Sequence, residues 1–428
     1  MNSLKSTAMW LAGVQWLFFM FANTVVIPIT IGHAFDLSAA ETASALQLSF
    51  IFTGVACILQ VLIGHKYPIM EGQAGLWWGA ILSIAASASA AGYTLTEVGG
   101  SLSLGIILSG ILVATLGLLG IGKILDRMFT PVVMSAVMFL LASQLILIFV
   151  KGMFGITENG GINMPVATLS VFLVILVAFL TIKGPGLISN FSILIGIVIG
   201  WILFAFFFDT EPQAEAGSGN LFMLFPWGEL HFNSGIVLFA VLAGLVNTTN
   251  TMASVKGVAS IVKKNPDEGT YRRAFLLTGA NSVFAGLFGL VPYAPYISSI
   301  GFLQSTRIMN RAPLLIGGGL FAILGLVPPL GSFFSTLPAS VGNAVLFVAY
   351  LQLFSGAVRN LEGIELSHKT IYRIAAPVLF GIALMNIPAS AFSTIPMMIR
   401  PLVSNGMLMG ILLAILLENT VRWDKFDR

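Results

Sequence analysis

The sequence predicts an all-α polytopic membrane protein with fourteen transmembrane spans in two inverted repeats of seven. Spans 3 and 10 are expected to be part extended strand and part helix. Three observations lead to this fold class. The chain is 57% hydrophobic and 9% charged over 428 residues, whereas soluble domains carry about 25% charged residues. Its basic residues fall almost entirely on one side of a fourteen-span layout. Proline and glycine interrupt two corresponding spans, one in each half.

The composition also excludes several classes of function. The net charge of +3 says nothing about nucleic acid, because basic residues in membrane proteins mainly set orientation, and no nucleic-acid partner is expected. Cys57, the single cysteine, cannot form an internal disulfide. The four histidines show no metal-ligand spacing. Neither a G-x-x-x-x-G-K-[ST] loop nor an H-E-x-x-H motif is present, so no ATP-driven or zinc-dependent chemistry and no cofactor are expected. Met1 to Thr7 is too short and polar to be a cleaved signal.

A span needs about 20 apolar residues. Read in order, the spans are 10–33, 43–64, 68–92, 100–122, 128–150, 165–182, 186–208, 234–255, 273–291, 292–306, 309–330, 332–357, 372–391 and 394–417. With the N-terminus inside, eighteen of the 20 Lys and Arg residues lie in inner loops or tails. They run from Lys5, Lys66 and Lys123 through Lys264, Arg273 and Arg311 to Arg422, Lys425 and Arg428. Lys151 and Arg400 are the exceptions. Asp36, Glu41, Glu97, Glu158, Asp209, Glu211, Glu215 and Glu229 take the outer loops. A missed span would scramble this sorting downstream, so both termini are placed in the cytoplasm and the protein in the plasma membrane.

The longest outer loop begins "FDTEPQAEAGSGN" and divides the spans seven from seven. The domain assignment is therefore 1–208 as a first repeat, 209–233 as an extracytoplasmic connector and 234–428 as a second repeat. An odd number of spans per repeat makes the two inverted, as in many secondary transporters. Weak internal matches keep the same order: Ala22-Asn23-Thr24 with Val246-Asn247-Thr248, "FTPVVMSAVMF" with "TLPASVGNAVLF", and "PIMEGQAG" with "PYISSIG".

Pro68, Gly72 and Gly75 oppose helix in span 3, as Pro292 and Pro295 do in span 10. Irregular backbone is tolerated within a bilayer only where protein or a cavity covers it. From Lys66 to Glu71 an extended chain reaches about 16 Å, near the midplane of a ~30 Å core. Ser298 lies roughly 13.5 Å of helix before Arg307. The two breaks can therefore meet at mid-depth and pair, and the helices that follow aim their N-termini at the centre.

Glu71 is the one carboxylate placed deep within a span, and ionisable groups there default to function. It is a candidate for substrate binding and for carrying a coupling proton; capping of a backbone amide or snorkelling toward Lys66 would also account for it. Asn247, Asn250 and Thr251 share one helix face. Asn23, Ser298 and Ser299 are further site candidates, with interhelical bonding or backbone capping as the alternative. Trp77 and Trp78 could stack on a planar ligand or pack against helices. Arg400 is expected to pair with carbonyls, Glu418 to be solvated at the inner end of span 14, and the glycines of "IGGGLFAILG" to permit close helix packing.

The stretches Gln15–Pro28, Val246–Met252, Tyr296–Arg307 and Leu337–Phe347 resemble the nucleobase–ascorbate transporter family, which includes uracil and xanthine permeases. The resemblance runs along nearly the whole chain. Its most specific piece is Gly301, four residues, then Thr306-Arg307, matching the signature G-x-x-x-x-T-[RKG]. It implies a core domain of spans 1–4 and 8–11, a gate domain of spans 5–7 and 12–14, and nucleobase uptake commonly coupled to protons. Homodimerisation remains open. The sequence departs from the family at three places. Asn247 stands where a glutamate is usual, Ser298 and Ser299 replace the residues before the signature glycine, and Trp16 replaces a histidine. The competing expectation is an anion transporter of the related sulfate-permease architecture.

Overall fold

The computed structural model describes residues 7–88, 92–120, 127–156, 161–185, 187–208, 221–392, 394–396 and 399–423. Lys5, Lys123, Glu158, Asp209, Glu211, Glu215, Lys425 and Arg428 lie outside the described residues. The structure is mostly helical. Its principal elements are α1 (Thr7–Thr24), α2 (Val26–Ala34), α3 (Ala39–Leu62), β1 (Glu71–Gln73), α4 (Gly75–Ser87), α5 (Leu95–Leu118), α6 (Pro131–Met153), α7 (Met164–Lys183) and α8 (Ser192–Phe207) in the first half. The second half contains α9 (Ser234–Val262), α10 (Glu268–Leu287), β2 (Tyr293–Pro295), α11 (Ser298–Thr306), α12 (Ala312–Gly325), α13 (Pro328–Ser335), α14 (Ala339–Arg359), α15 (His368–Met385) and α16 (Gly406–Thr420).

The helix starts are written into the loops. Ser38 with Glu41 and Thr94 with Glu97 form capping boxes at α3 and α5. Thr130, Asn163, Asn233, Asp267, Ser367 and Asn405 accept from first-turn amides of α6, α7, α9, α10, α15 and α16. Lys263 and Arg307 adopt left-handed backbone (φ 53° and 59°) as the C-caps of α9 and α11.

Among the described residues, seven helices are long and apolar enough to cross a membrane. The number rises to eight if α12 and α13, which meet at 90°, are taken together. α4, α8 and α16 are shorter apolar helices. Several expected spans are more broken than the hydropathy pattern suggests. The first is divided at Val25 into α1 and α2. The eleventh ends at Gly325 instead of running to 330, and Pro328 opens α13 at the first helical positions, where its missing N–H costs nothing. The twelfth starts only at Ala339, after Pro338.

Two sets of helices pack together. α1 and α3 lie on α12, while α9 and α10 lie on α5. Separately, α6 packs on α14, α15 and α16, and α14 also meets α7 and α8. The pairings recur when each partner is moved by one half-chain. α3 on α12 corresponds to α10 on α5, and α15 on α16 corresponds to α7 on α8. Paired glycines allow the closest of these approaches. A Cβ on Gly54 would stand 2.3 Å from the Gly318 carbonyl, and one on Gly110 would stand 2.6 Å from that of Gly279.

β1 and β2 form a two-stranded antiparallel ladder, with Glu71 opposite Pro295, Gly72 opposite Ala294 and Gln73 opposite Tyr293. Ala74 N donates to Pro292 O at 2.8 Å and Tyr296 N to Met70 O at 2.8 Å, which extends the pairing at both ends. All six strand residues are buried. The interior break is tolerated because each piece satisfies the backbone of the other.

Candidate functional site

The ladder delivers two helix N-termini to one place. α4 starts at Gly75 and α11 at Ser298, each directly beyond its strand. Neither has a side-chain cap, since their N-cap residues are Ala74 and Ile297. α4 therefore keeps first-turn N–H groups available, whereas in α11 Ser299 N and Ile300 N already donate to Tyr296 O at 3.1 Å and Ile297 O at 2.9 Å; both helices bring the positive ends of their dipoles alongside. Both look toward the second helix set. A Cβ on Gly75 would meet Leu145 of α6 at 3.2 Å and Tyr350 of α14 at 3.5 Å. A Cβ on Gly301 would lie 3.7 Å from Gln352 Oε1, also on α14. Tyr350 stands beside Tyr296.

Polar side chains from neighbouring helices fasten the ladder. Asn247 on α9 donates Nδ2 to the Tyr293 carbonyl at 3.0 Å, while its Oδ1 accepts from Asn250 at 3.0 Å. Ser254 donates to Pro295 O at 2.8 Å. The hydroxyl of Ser299 accepts from Met70 N at 3.1 Å, so it serves the backbone. The Tyr296 hydroxyl donates to Gln73 O at 2.5 Å and approaches Asn23 O at 3.4 Å. Asn23 donates its own amide to Phe19 O at 2.8 Å, one helical turn back. Thr251 is fully buried, and its hydroxyl has no partner. Ser298 is half-buried at the first position of α11. Asn247, Asn23, Ser298 and Ser299 thus all cluster at the strands and the helix starts beyond them.

Glu71 lies elsewhere. Alternate residues of a strand share a face. Glu71 and Gln73 both point away from α14, toward α3 and α10. Gln73 donates to Ser49 of α3 at 3.1 Å, and Glu71 Oε1 accepts from Thr278 of α10 at 2.8 Å. The sequence reading groups Glu71 with Asn247 and Ser298 at the substrate, and the structure turns its side chain to the α3 and α10 side of the ladder. Its carboxyl is on the opposite face of the ladder because strand side chains alternate and Gly72 takes the other side. Snorkelling toward Lys66 is also corrected, since the side chain is fully buried.

Other expectations resolve as packing. Trp77 and Trp78 are buried; Trp78 donates to Thr30 Oγ at 2.8 Å and its ring packs near Phe149. Arg400 pairs with the carbonyl of Ile395 at 3.0 and 3.2 Å. Glu418 is not solvated. It accepts from both guanidinium edges of Arg373 and from Thr130, and its side chain is 7% exposed. Apolar helices on all sides leave the ion pair as its available partner. Sequence reasoning missed Gln60, Thr278, Asn281, Tyr296 and Tyr350. The first three were legible only as polar residues in apolar helices, Thr278 and Asn281 at an i, i+3 spacing that puts them on one face.

A fold in which interrupted spans meet through paired strands and present helix N-termini at mid-chain is that of a membrane transporter. The xanthine/uracil model described as "Permease family" matches residues 7–390, and the chain belongs to that family. It is therefore a permease and not an enzyme. YwdJ of Bacillus subtilis is 28% identical over 424 residues, covering 96% of each chain. The nucleobase transporter PlUacP of Paenibacillus larvae is 25% identical, covering 95% of this chain and 93% of its own. The uric acid permease PucJ of B. subtilis is also 25% identical, with 97% and 92% covered. Among solved structures, the transmembrane domain of a cyanobacterial bicarbonate transporter, BicA, superposes with TM-score 0.63 at 14% identity, covering 95% of this chain and 96% of that one. Murine Slc26a9, an anion transporter, gives 0.59 at 14% identity, with 96% and 68% covered. At such identities the likeness is one of fold.

Proposed function

We propose that this permease carries a nucleobase, of the purine class, by proton symport and alternating access across the plasma membrane. The observation that carries the reading is the pair of uncapped helix N-termini at Gly75 and Ser298, set beside Asn247 and facing Tyr350. A base presents carbonyl oxygens next to ring N–H groups. The start of α4 supplies N–H donors for the carbonyls, and the positive end of the α11 dipole stands beside it. Asn247 and Ser298 can each donate and accept while staying neutral, which suits the mixed edge, and the half-buried ring of Tyr350 offers a flat apolar wall. The names of the relatives, which include nucleobase and uric acid carriers, favour the same substrate class.

In this reading the two helix sets are a core domain of spans 1–4 and 8–11 and a gate domain of spans 5–7 and 12–14. They belong to inverted repeats 1–208 and 234–428, with both termini cytoplasmic. The recurrence of helix pairings and the antiparallel ladder support that arrangement. Glu71 is assigned the coupling proton, since it is a buried carboxyl with no basic partner among the described residues. The anion-transporter alternative shares the fold, but a buried carboxyl behind the site opposes accumulation of negative charge. The deciding experiment is uptake into transport-deficient cells with uric acid, xanthine, hypoxanthine, guanine, adenine and uracil as competitors. Competition by purines supports the reading, and inhibition by none of the six would overturn it.

A further inference from the structure

Glu71 is held on one edge only. Its Oε1 accepts the Thr278 hydroxyl proton at 2.8 Å, whereas Oε2 is buried and has no partner. Gln60 fixes this arrangement. Its Nε2 donates to Ala274 O at 3.2 Å and to Thr278 Oγ at 3.1 Å, and its Oε1 accepts from His65 N at 3.4 Å. Two acceptors on the nitrogen side and a donor on the oxygen side leave the amide one orientation. A hydroxyl has a single proton to give. With Gln60 donating to it, Thr278 gives its own proton to Glu71, and Oε1 is the accepting oxygen of this arrangement. Asn281, one turn along α10 from Thr278, faces the same carboxyl with its Nδ2 buried and without a closed hydrogen bond.

We infer that Glu71, Thr278, Gln60 and Asn281 form a proton site enclosed between α3, β1 and α10, separate from the substrate cavity, in which Gln60 and Thr278 hold Oε1 and the proton occupies Oε2. This inference rests on the proposed coupling role of Glu71. Loading forms one O–H bond on Oε2 from a water-borne proton, and release returns that proton to water; no other bond changes. Asn281 can serve both states. Its amide N–H faces the charged carboxylate, and rotation by half a turn offers its oxygen to the protonated one. The titratable groups facing Glu71 are the Cys57 thiol on α3, which contacts its main chain at 3.2 and 3.3 Å, and the Tyr293 phenol on β2. From α10 come the neutral Thr278 and Asn281, and among the described residues no charged group of a packed element faces Glu71. Thr278 and Gln60 are positioning residues, acting through Glu71. The site communicates with the substrate side through the ladder, where Glu71 pairs with Pro295 three residues before Ser298.

The test is pH-gradient-driven uptake and substrate counterflow in proteoliposomes, measured across pH. Thr278→Val keeps the shape and loses the donor that favours the charged carboxylate. The pH profile of driven uptake should move upward by about one to two pH units, with counterflow unchanged, and Thr278→Ser should restore the original profile. A Thr278→Val protein that counterflows normally with the wild-type profile overturns the inference. Infrared difference spectra of the wild-type protein supply a reading independent of that variant. The protonated-carboxyl band that disappears in Glu71→Gln should titrate with pH at the same frequency with and without saturating xanthine. A frequency change on xanthine binding would place Glu71 in the substrate cavity and overturn the separation of the sites. Failure of the coupling role itself has a different signature, in which Glu71→Gln still concentrates substrate under a pH gradient.

Discussion

The side-chain amide of Asn247 donates to the main-chain carbonyl of Tyr293 at 3.0 Å, tying α9 to the strand that precedes α11. One contact thereby joins a helix of the second half to the ladder that sets the position of Ser298. Asn247 uses one N–H for the fold and accepts from Asn250; the proposed function assigns its second N–H to the substrate.

Asn247→Ala and Ser298→Ala should each weaken uptake with surface expression unchanged. Leaving a buried partner unsatisfied costs about 1–3 kcal/mol, or roughly 5- to 150-fold in affinity. Transport kinetics in cells check this, and wild-type KM for both variants would remove these residues from the site.

Glu71→Gln preserves size and the bond from Thr278 but fixes the neutral form. It should abolish uphill accumulation driven by a pH gradient while leaving counterflow largely intact. Proteoliposomes with and without an imposed gradient distinguish the two activities.

Glu229 and Lys264 should lie on opposite sides of the membrane. Both are exposed, and Cys57, the only native cysteine, is fully buried. Single cysteines at the two positions can therefore be labelled from one side against a quiet background. Labelling of both by an impermeant reagent in intact cells would refute the inverted arrangement.

Arg373→Ala strands the Glu418 carboxylate, whose side chain is 7% exposed. Removing one partner of a buried pair costs about 3–5 kcal/mol. The melting temperature in detergent should fall sharply, and Arg373→Ala with Glu418→Gln should recover part of the loss. Equal melting of the wild type and Arg373→Ala would show that the pair carries no stability.

Gly110→Ala should disrupt the α5–α10 contact, because its Cβ would stand 2.6 Å from the Gly279 carbonyl and backbone cannot give way. Gly319→Ala is the control, since nothing lies within 4 Å of the added carbon. There the helix should gain up to about 1 kcal/mol. Size-exclusion profiles of the two proteins after heating separate the cases.

What the sequence determined by itself was the solvent of the fold and the places where helix fails. Lipid demands apolar side chains and internally satisfied backbone, so 57% hydrophobic content and prolines at 68, 292 and 295 were enough to foresee helical spans and two breaks. Only the tertiary structure decided the directions of side chains at the breaks. Glu71 and Ser298 lie at similar depth by count, yet a strand sends alternate side chains to opposite faces, and which face meets α10 depends on a register with β2 set more than 200 residues away. The partners of Glu71 were hidden for the same reason. Gln60 and Thr278 come from helices separated by 218 positions, and the buried carboxyl acquires its neighbours only when α3 and α10 close around β1.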